Sequence, residues 1–106
     1  MSNLTVTKKQ EGDILNAVLE GRLDSSTASK LDEEIRPELD SIRKLVMNFE
    51  KIKYISSTGI RVLLSFHKRL TANGGELVIS KPTEMVLEVF DLTGFTDVFN
   101  IEDFVN

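Results

Sequence analysis

Three adjacent hydroxyls, Ser56, Ser57 and Thr58, lie in the segment Tyr54-Ile55-Ser56-Ser57-Thr58-Gly59-Ile60. Hydroxyls so placed can cap a helix, accept a phosphoryl group or serve as a nucleophile. The run before them, Lys44-Leu45-Val46-Met47-Asn48-Phe49, is short, apolar and β-prone, whereas Ile60, Leu63, Leu64, Phe66 and Leu70 recur afterwards at largely helical spacing. The hydroxyls therefore mark a helix N-terminus, predicted to open at Thr58. Unpaired backbone N–H groups there carry partial positive charge, which a Ser or Thr side chain can cap and which favours a phosphoserine's negative charge. Capping and modification both fit the pattern.

The nucleophile reading fails on geometry. The one histidine, His67, lies ten residues after Ser57 on the same predicted helix, about 15 Å along its axis, too far to act as its base. No Gly-x-Ser-x-Gly elbow surrounds the serines. His67 shares a helical face with Leu63, Leu64 and Leu70, and is expected to be a half-buried histidine with a satisfied hydrogen bond. The acidic run Asp32-Glu33-Glu34 points in successive directions around a helix and cannot converge on a metal, so it reads as a solvated face. Gly74-Gly75 has no following Gly-Lys-Ser/Thr, sits after a helix and reads as its C-terminal stop. Neither a metal nor a nucleotide cofactor is expected.

The elements that must position the hydroxyls follow from periodicity. Leu4 to Lys9 and Ile14 to Glu20 read as strands of a hairpin turning at Glu11-Gly12-Asp13. Ser25, Ser26 and Thr27 offer caps for a helix to about Leu39, with Ala28, Leu31, Ile35 and Leu39 on one face and Pro37 forcing a kink or an early end. Strand Lys44 to Phe49, helix Thr58 to about Asn73 and strand Glu76 to Ser80 come next. Pro82 and Thr83 open a third helix ending near Leu92 with Gly94 as its stop, and Val98 to Ile101 is at best a short edge strand. Alternating strands and helices after an opening hairpin predict an α/β fold with a mixed central sheet of four to five strands and three or so helices mainly on one face.

At 106 residues and 41% hydrophobic composition, one domain with one core is expected over residues 1–106. The sequence has no cysteine, which excludes thiolate chemistry and disulfides and favours an intracellular home. No apolar run approaches the roughly 20 residues that cross a bilayer, and the first residues lack a signal-peptide core. A soluble cytoplasmic protein is the expectation. A formal net charge of −4 without a basic stripe argues against direct nucleic-acid binding.

Around the hydroxyls the chain resembles the STAS-domain anti-sigma factor antagonists, or anti-anti-sigma factors, whose motif is Asp-Ser-Ser/Thr-Gly between a strand and a helix. Ser56 stands where that family has Asp, Ser57 at its phosphoacceptor, and Thr58-Gly59 complete the motif. A hydroxyl in the Asp position also makes Ser56 a rival acceptor. The resemblance continues in order through Leu19-Glu20-Gly21-Arg22-Leu23-Asp24, Gly74-Gly75-Glu76-Leu77-Val78 and Val89-Phe90-Asp91-Leu92-Thr93-Gly94-Phe95. It implies a STAS-like sheet with the phosphorylation loop exposed at one end and Asp24 near it.

Functionally, the resemblance implies a binding protein, not an enzyme. Its unphosphorylated form would bind an anti-sigma factor that is itself a serine kinase of histidine-kinase-like ATPase fold, using ATP and Mg²⁺, and so release a sigma factor. Phosphorylation on Ser57 would end that binding and a serine phosphatase would restore it. Asp24, Ser56, Ser57, Thr58 and Gly59 are the implied partner-binding residues, with Asp24 equally readable as a turn acceptor ahead of the first helix. Two other readings stay open: a constitutive STAS module of a transport or signalling assembly that is never phosphorylated, and a small-ligand sensor.

Overall fold

A computed structural model describes residues 3–102. Five strands, β1 (Leu4–Glu11), β2 (Ile14–Leu23), β3 (Lys44–Ile55), β4 (Glu76–Ser80) and β5 (Asn100–Glu102), alternate after the opening hairpin with helices α1 (Ala28–Ile35), α2 (Ser57–Ala72) and α3 (Glu84–Thr93). They form one sheet in the order β1-β2-β3-β4-β5, antiparallel only between β1 and β2. Each crossover adds a strand on the same side of its predecessor. Crossovers of one hand built outward in one direction lay their helices on one face of the sheet.

The burial alternation shows that face. Leu15, Ala17 and Leu19 of β2 and Leu45, Met47 and Phe49 of β3 point inward to meet Leu31 and Ile35 of α1, Leu63, Phe66 and Leu70 of α2, and Val86 and Phe90 of α3. Between them Asn16, Val18 and Glu20 face away, and Val18 is 38% exposed. This is the mixed sheet with one-sided helices that the periodicity predicts.

Pro37 ends the first α-helix early. Regular α-helix stops at Ile35, and Arg36–Ser41 continue as a 3₁₀ segment with Pro37 in its first turn, where no backbone donor is required. This segment is tied to α2 by polar contacts: Asp40 accepts from Arg69 at 2.6 and 2.8 Å and from Asn73 at 2.9 Å, while Arg36 bridges Asp32 and Ser65.

β3 runs six residues beyond the predicted end at Phe49, to Ile55. Its buried residues switch from alternation to a spacing of three, Phe49, Ile52 and Ile55, because two register shifts against β2 each admit one extra residue. The strand thus carries its inward face past the bulges. The last strand is Asn100–Glu102 instead of Val98 to Ile101.

Candidate functional site

β2 and β3 are parallel neighbours paired to their last residues, Leu23 opposite Ile55. Asp24 and Ser56 therefore leave the sheet side by side at its C-terminal edge. The Ser56 amide donates to the Leu23 carbonyl at 2.9 Å, continuing the ladder one residue beyond the strands. The helix then turns up directly.

α2 begins at Ser57, one residue earlier than predicted, with Ser56 as its N-cap in an extended conformation. The Ser56 hydroxyl accepts from the Gly59 amide at 3.3 Å, and its carbonyl accepts the first helical bond from Ile60 at 3.0 Å. Ser, Asp and Asn are among the strongest N-cap residues. Ser56 thus does the capping that an Asp at this position could also do.

Gly59 fixes how closely the helix approaches the strand end. A Cβ there would lie 2.7 Å from Leu23 Cγ and 2.8 Å from the Leu23 carbonyl oxygen. Gly59 is needed for that contact, since its backbone is ordinary helix.

Ser57 differs from its neighbours. It is exposed, and among the described residues its hydroxyl makes no hydrogen bond, whereas the half-buried Ser56 hydroxyl is engaged at the cap. Thr58 is half-buried behind it.

The Asp24 carboxylate is held in a turn. Its Oδ1 accepts from the Ser26 amide at 3.0 Å and the Ser26 hydroxyl at 2.7 Å, and Arg22 Nε donates to Oδ2 at 3.3 Å. The Ser26 hydroxyl bond, with help from its backbone bond and from Arg22, holds the carboxyl below the usual carboxylate range against a smaller opposing effect of desolvation. The Arg22 guanidinium also lies 4.5 Å over the Tyr54 ring. Asp24 is thus a turn acceptor, and its strand end adjoins the hydroxyl segment. Thr27 precedes α1, but its hydroxyl donates to the Arg22 carbonyl at 2.8 Å and does not cap the helix.

Two depressions flank the segment. One, of about 190 Å³, is lined by Ser57, Ile60, Arg61, Leu64, Thr93 and Phe95, between α2 and the end of α3. The other, of about 420 Å³, is lined by Ala28, Ser29, Asp32, Glu33, Thr58 and Val62, between α1 and α2. Leu92, 80% exposed, lies next in sequence to Thr93. Among the described residues no cluster of His, Cys, Asp or Glu could hold a metal ion, and no helix is long and apolar enough to cross a membrane.

A strand-to-helix hydroxyl segment at the C-terminal edge of this five-stranded mixed sheet can be compared with known proteins. The family model for the STAS domain matches residues 5–106. BtrV of Bordetella bronchiseptica, provisionally assigned as an anti-sigma factor antagonist, is 33% identical over 99 residues, 92% of this chain and 85% of its own length. The chain belongs to the STAS-domain anti-sigma factor antagonists. The anti-sigma-B factor antagonist of Bacillus subtilis is 27% identical over 93% of this STAS chain and 91% of its own. The fold is that of the anti-sigma factor antagonist SpoIIAA. Its unphosphorylated form superposes with a TM-score of 0.80 at 19% identity, over 92% of this chain and 87% of that one. Its phosphorylated form gives 0.74 at 18% identity, over 92% and 90%.

Of the residues singled out by sequence, Ser56, Ser57, Thr58 and Gly59 form one continuous turn in which Ser57 is exposed, Ser56 and Thr58 are half-buried and Gly59 is buried, and Asp24 adjoins it through Leu23. His67 departs from expectation. Its Nδ1 is buried without a hydrogen-bond partner among the described residues, and its ring and that of Phe99 stand perpendicular with centroids 6.1 Å apart. Packing against an aromatic side chain holds it, and no satisfied hydrogen bond does. Arg22, Arg61 and Phe95 were not identified as site residues. Arg61 could have been found four residues after Ser57, on the same helical face.

Proposed function

We propose that this STAS protein, unphosphorylated, binds an anti-sigma factor and so frees the sigma factor held by it, and that phosphorylation on Ser57 ends the interaction. The partner would be a serine kinase of histidine-kinase-like ATPase fold, and a serine phosphatase would reverse the modification. The observation that carries this reading is the uncommitted, exposed Ser57 hydroxyl at the first turn of α2. Ser56 is the weaker acceptor because its hydroxyl is engaged at the cap. The solved structure of SpoIIAA in a phosphorylated form supports a modification in this fold.

Chemically, Ser57 Oγ would attack the γ-phosphorus of the kinase's ATP. The new O–P bond forms as the bond to the β-phosphate oxygen breaks, ADP leaves, and the hydroxyl proton passes to a base on the kinase. The protein is substrate, not catalyst. The product adds about −1.5 to −2 charges beside a helix N-terminus, which attracts it, and near the Asp24 turn, which repels it. Charge and bulk at the docking surface then disrupt binding with little change in fold.

The test is affinity purification from the native cell with wild type, Ser57→Ala and Ser57→Asp, with phosphosite mapping of the wild-type bait. The expected result is an ATPase of histidine-kinase-like sequence recovered with Ala and not with Asp, and phosphate on Ser57. The same partner retained by both variants without phosphate would instead support a constitutive interaction module. Phosphate on Ser56 would move the acceptor by one residue.

A further inference from the structure

We propose that Arg61 receives the phosphate when Ser57 is phosphorylated, an inference that rests on the acceptor reading of Ser57. Residues four apart on a helix share a face with Cβ atoms about 5–6 Å apart. Long side chains on a helix lean toward its N-terminus, so Arg61 reaches back over the turn that begins with Ser57. Both residues line the same depression of about 190 Å³. Arg61 is exposed, and among the described residues it makes no ion pair or hydrogen bond.

The surroundings leave the phosphate one direction. On the other side of the segment, the groove containing Thr58 carries Asp32 and Glu33, which repel it. Asp24 is also a carboxylate, and Arg22 is engaged with it and stacked on Tyr54. Within the Ser57 depression, Ile60, Leu64 and Phe95 offer only apolar contact, and the Thr93 hydroxyl already donates to the Val89 carbonyl at 2.6 Å. Arg61 is the cation among the side chains that line this depression, and guanidinium pairs with phosphate through two parallel hydrogen bonds.

Pairing changes the docking surface twice. The depression fills with a phosphate, and the guanidinium that an acidic group on a partner could otherwise meet is taken up. The phosphate's charge is partly neutralised at the same time, which limits its repulsion from the Asp24 turn.

The test uses phosphoserine encoded genetically at position 57, so that no kinase is needed. The second ionisation of the phosphate is followed by ³¹P NMR in the wild-type, Arg61→Ala and Arg61→Lys backgrounds. Pairing predicts a titration midpoint about 0.4 pH unit lower with Arg61 than with Ala, part of that shift with Lys, and no dependence on Arg61 when the phosphoserine is encoded at position 56. Equal midpoints in all three backgrounds would overturn the pairing. So would an equal shift at both positions, which would mark a diffuse field instead of a contact. Phosphosite mapping of the native protein separately decides whether Ser57 is the acceptor in the cell.

Discussion

The Ser56 amide donates to the Leu23 carbonyl at 2.9 Å, and through this bond the end of β2 and the start of α2 are held as one surface. Asp24 follows directly on one side of the bond and Ser57 on the other. Neither strand end could move without shifting the helix cap, since Gly59 leaves no space for a side chain against Leu23. The backbone that carries Ser57 is thus held in place while its exposed hydroxyl stays uncommitted.

Gly59→Ala should therefore destabilise the protein by about 1–3 kcal/mol. Its Cβ would press on the Leu23 backbone as well as its side chain, and backbone cannot rotate away. Urea denaturation monitored by far-UV circular dichroism would show a lower midpoint. A midpoint equal to wild type would mean that α2 is free to shift outward.

The two serines should separate in stability. Ser56→Ala removes the N-cap acceptor and should cost about 1 kcal/mol, whereas Ser56→Asp retains a strong cap and should cost little. Ser57→Ala touches no internal hydrogen bond and should stay within about 0.5 kcal/mol of wild type. Matching losses for Ser56→Ala and Ser57→Ala in the same urea series would contradict this division of roles.

Much of this was legible in the sequence because the elements are strongly periodic. The hairpin, three helices and four of the five strands fall close to their predicted places, and Pro37 announced the early end of α1. What was hidden depended on neighbours. The two register shifts that carry β3 to Ile55 exist only in its pairing with β2, so period-two reading stopped at Phe49. The spacing predicts a hydrogen bond for His67, but its Nδ1 is buried without a partner among the described residues and its ring packs against Phe99. The uncommitted state of Ser57, as against Ser56, follows from which hydroxyl meets the Gly59 amide, a matter of one residue in where the helix starts.

The Asp40 network gives the acid response a defined contributor. Its hydrogen bonds from Arg69 first and Asn73 second lower the carboxyl from an ordinary 3.8 to about 2. A depressed carboxyl contributes stability that is fully present above its unfolded value and is lost as pH falls through the folded one. Stability should thus fall between about pH 4 and pH 2, and Asp40→Asn should flatten that part of the profile. Urea midpoints measured across this range for both proteins would check it; parallel profiles would assign the acid loss to other groups.

Asp24 separates a structural role from a binding one. Asn at this position keeps an oxygen to accept from the Ser26 amide and hydroxyl but removes the charge that faces Arg22. Ala removes both. If the carboxylate's charge also contributes to the proposed partner surface, Asp24→Asn should lower the urea midpoint less than Asp24→Ala does while weakening binding to the captured anti-sigma factor in calorimetry, and Asp24→Ala should lower both. Binding unchanged in Asn and reduced only in Ala would confine Asp24 to shaping the turn.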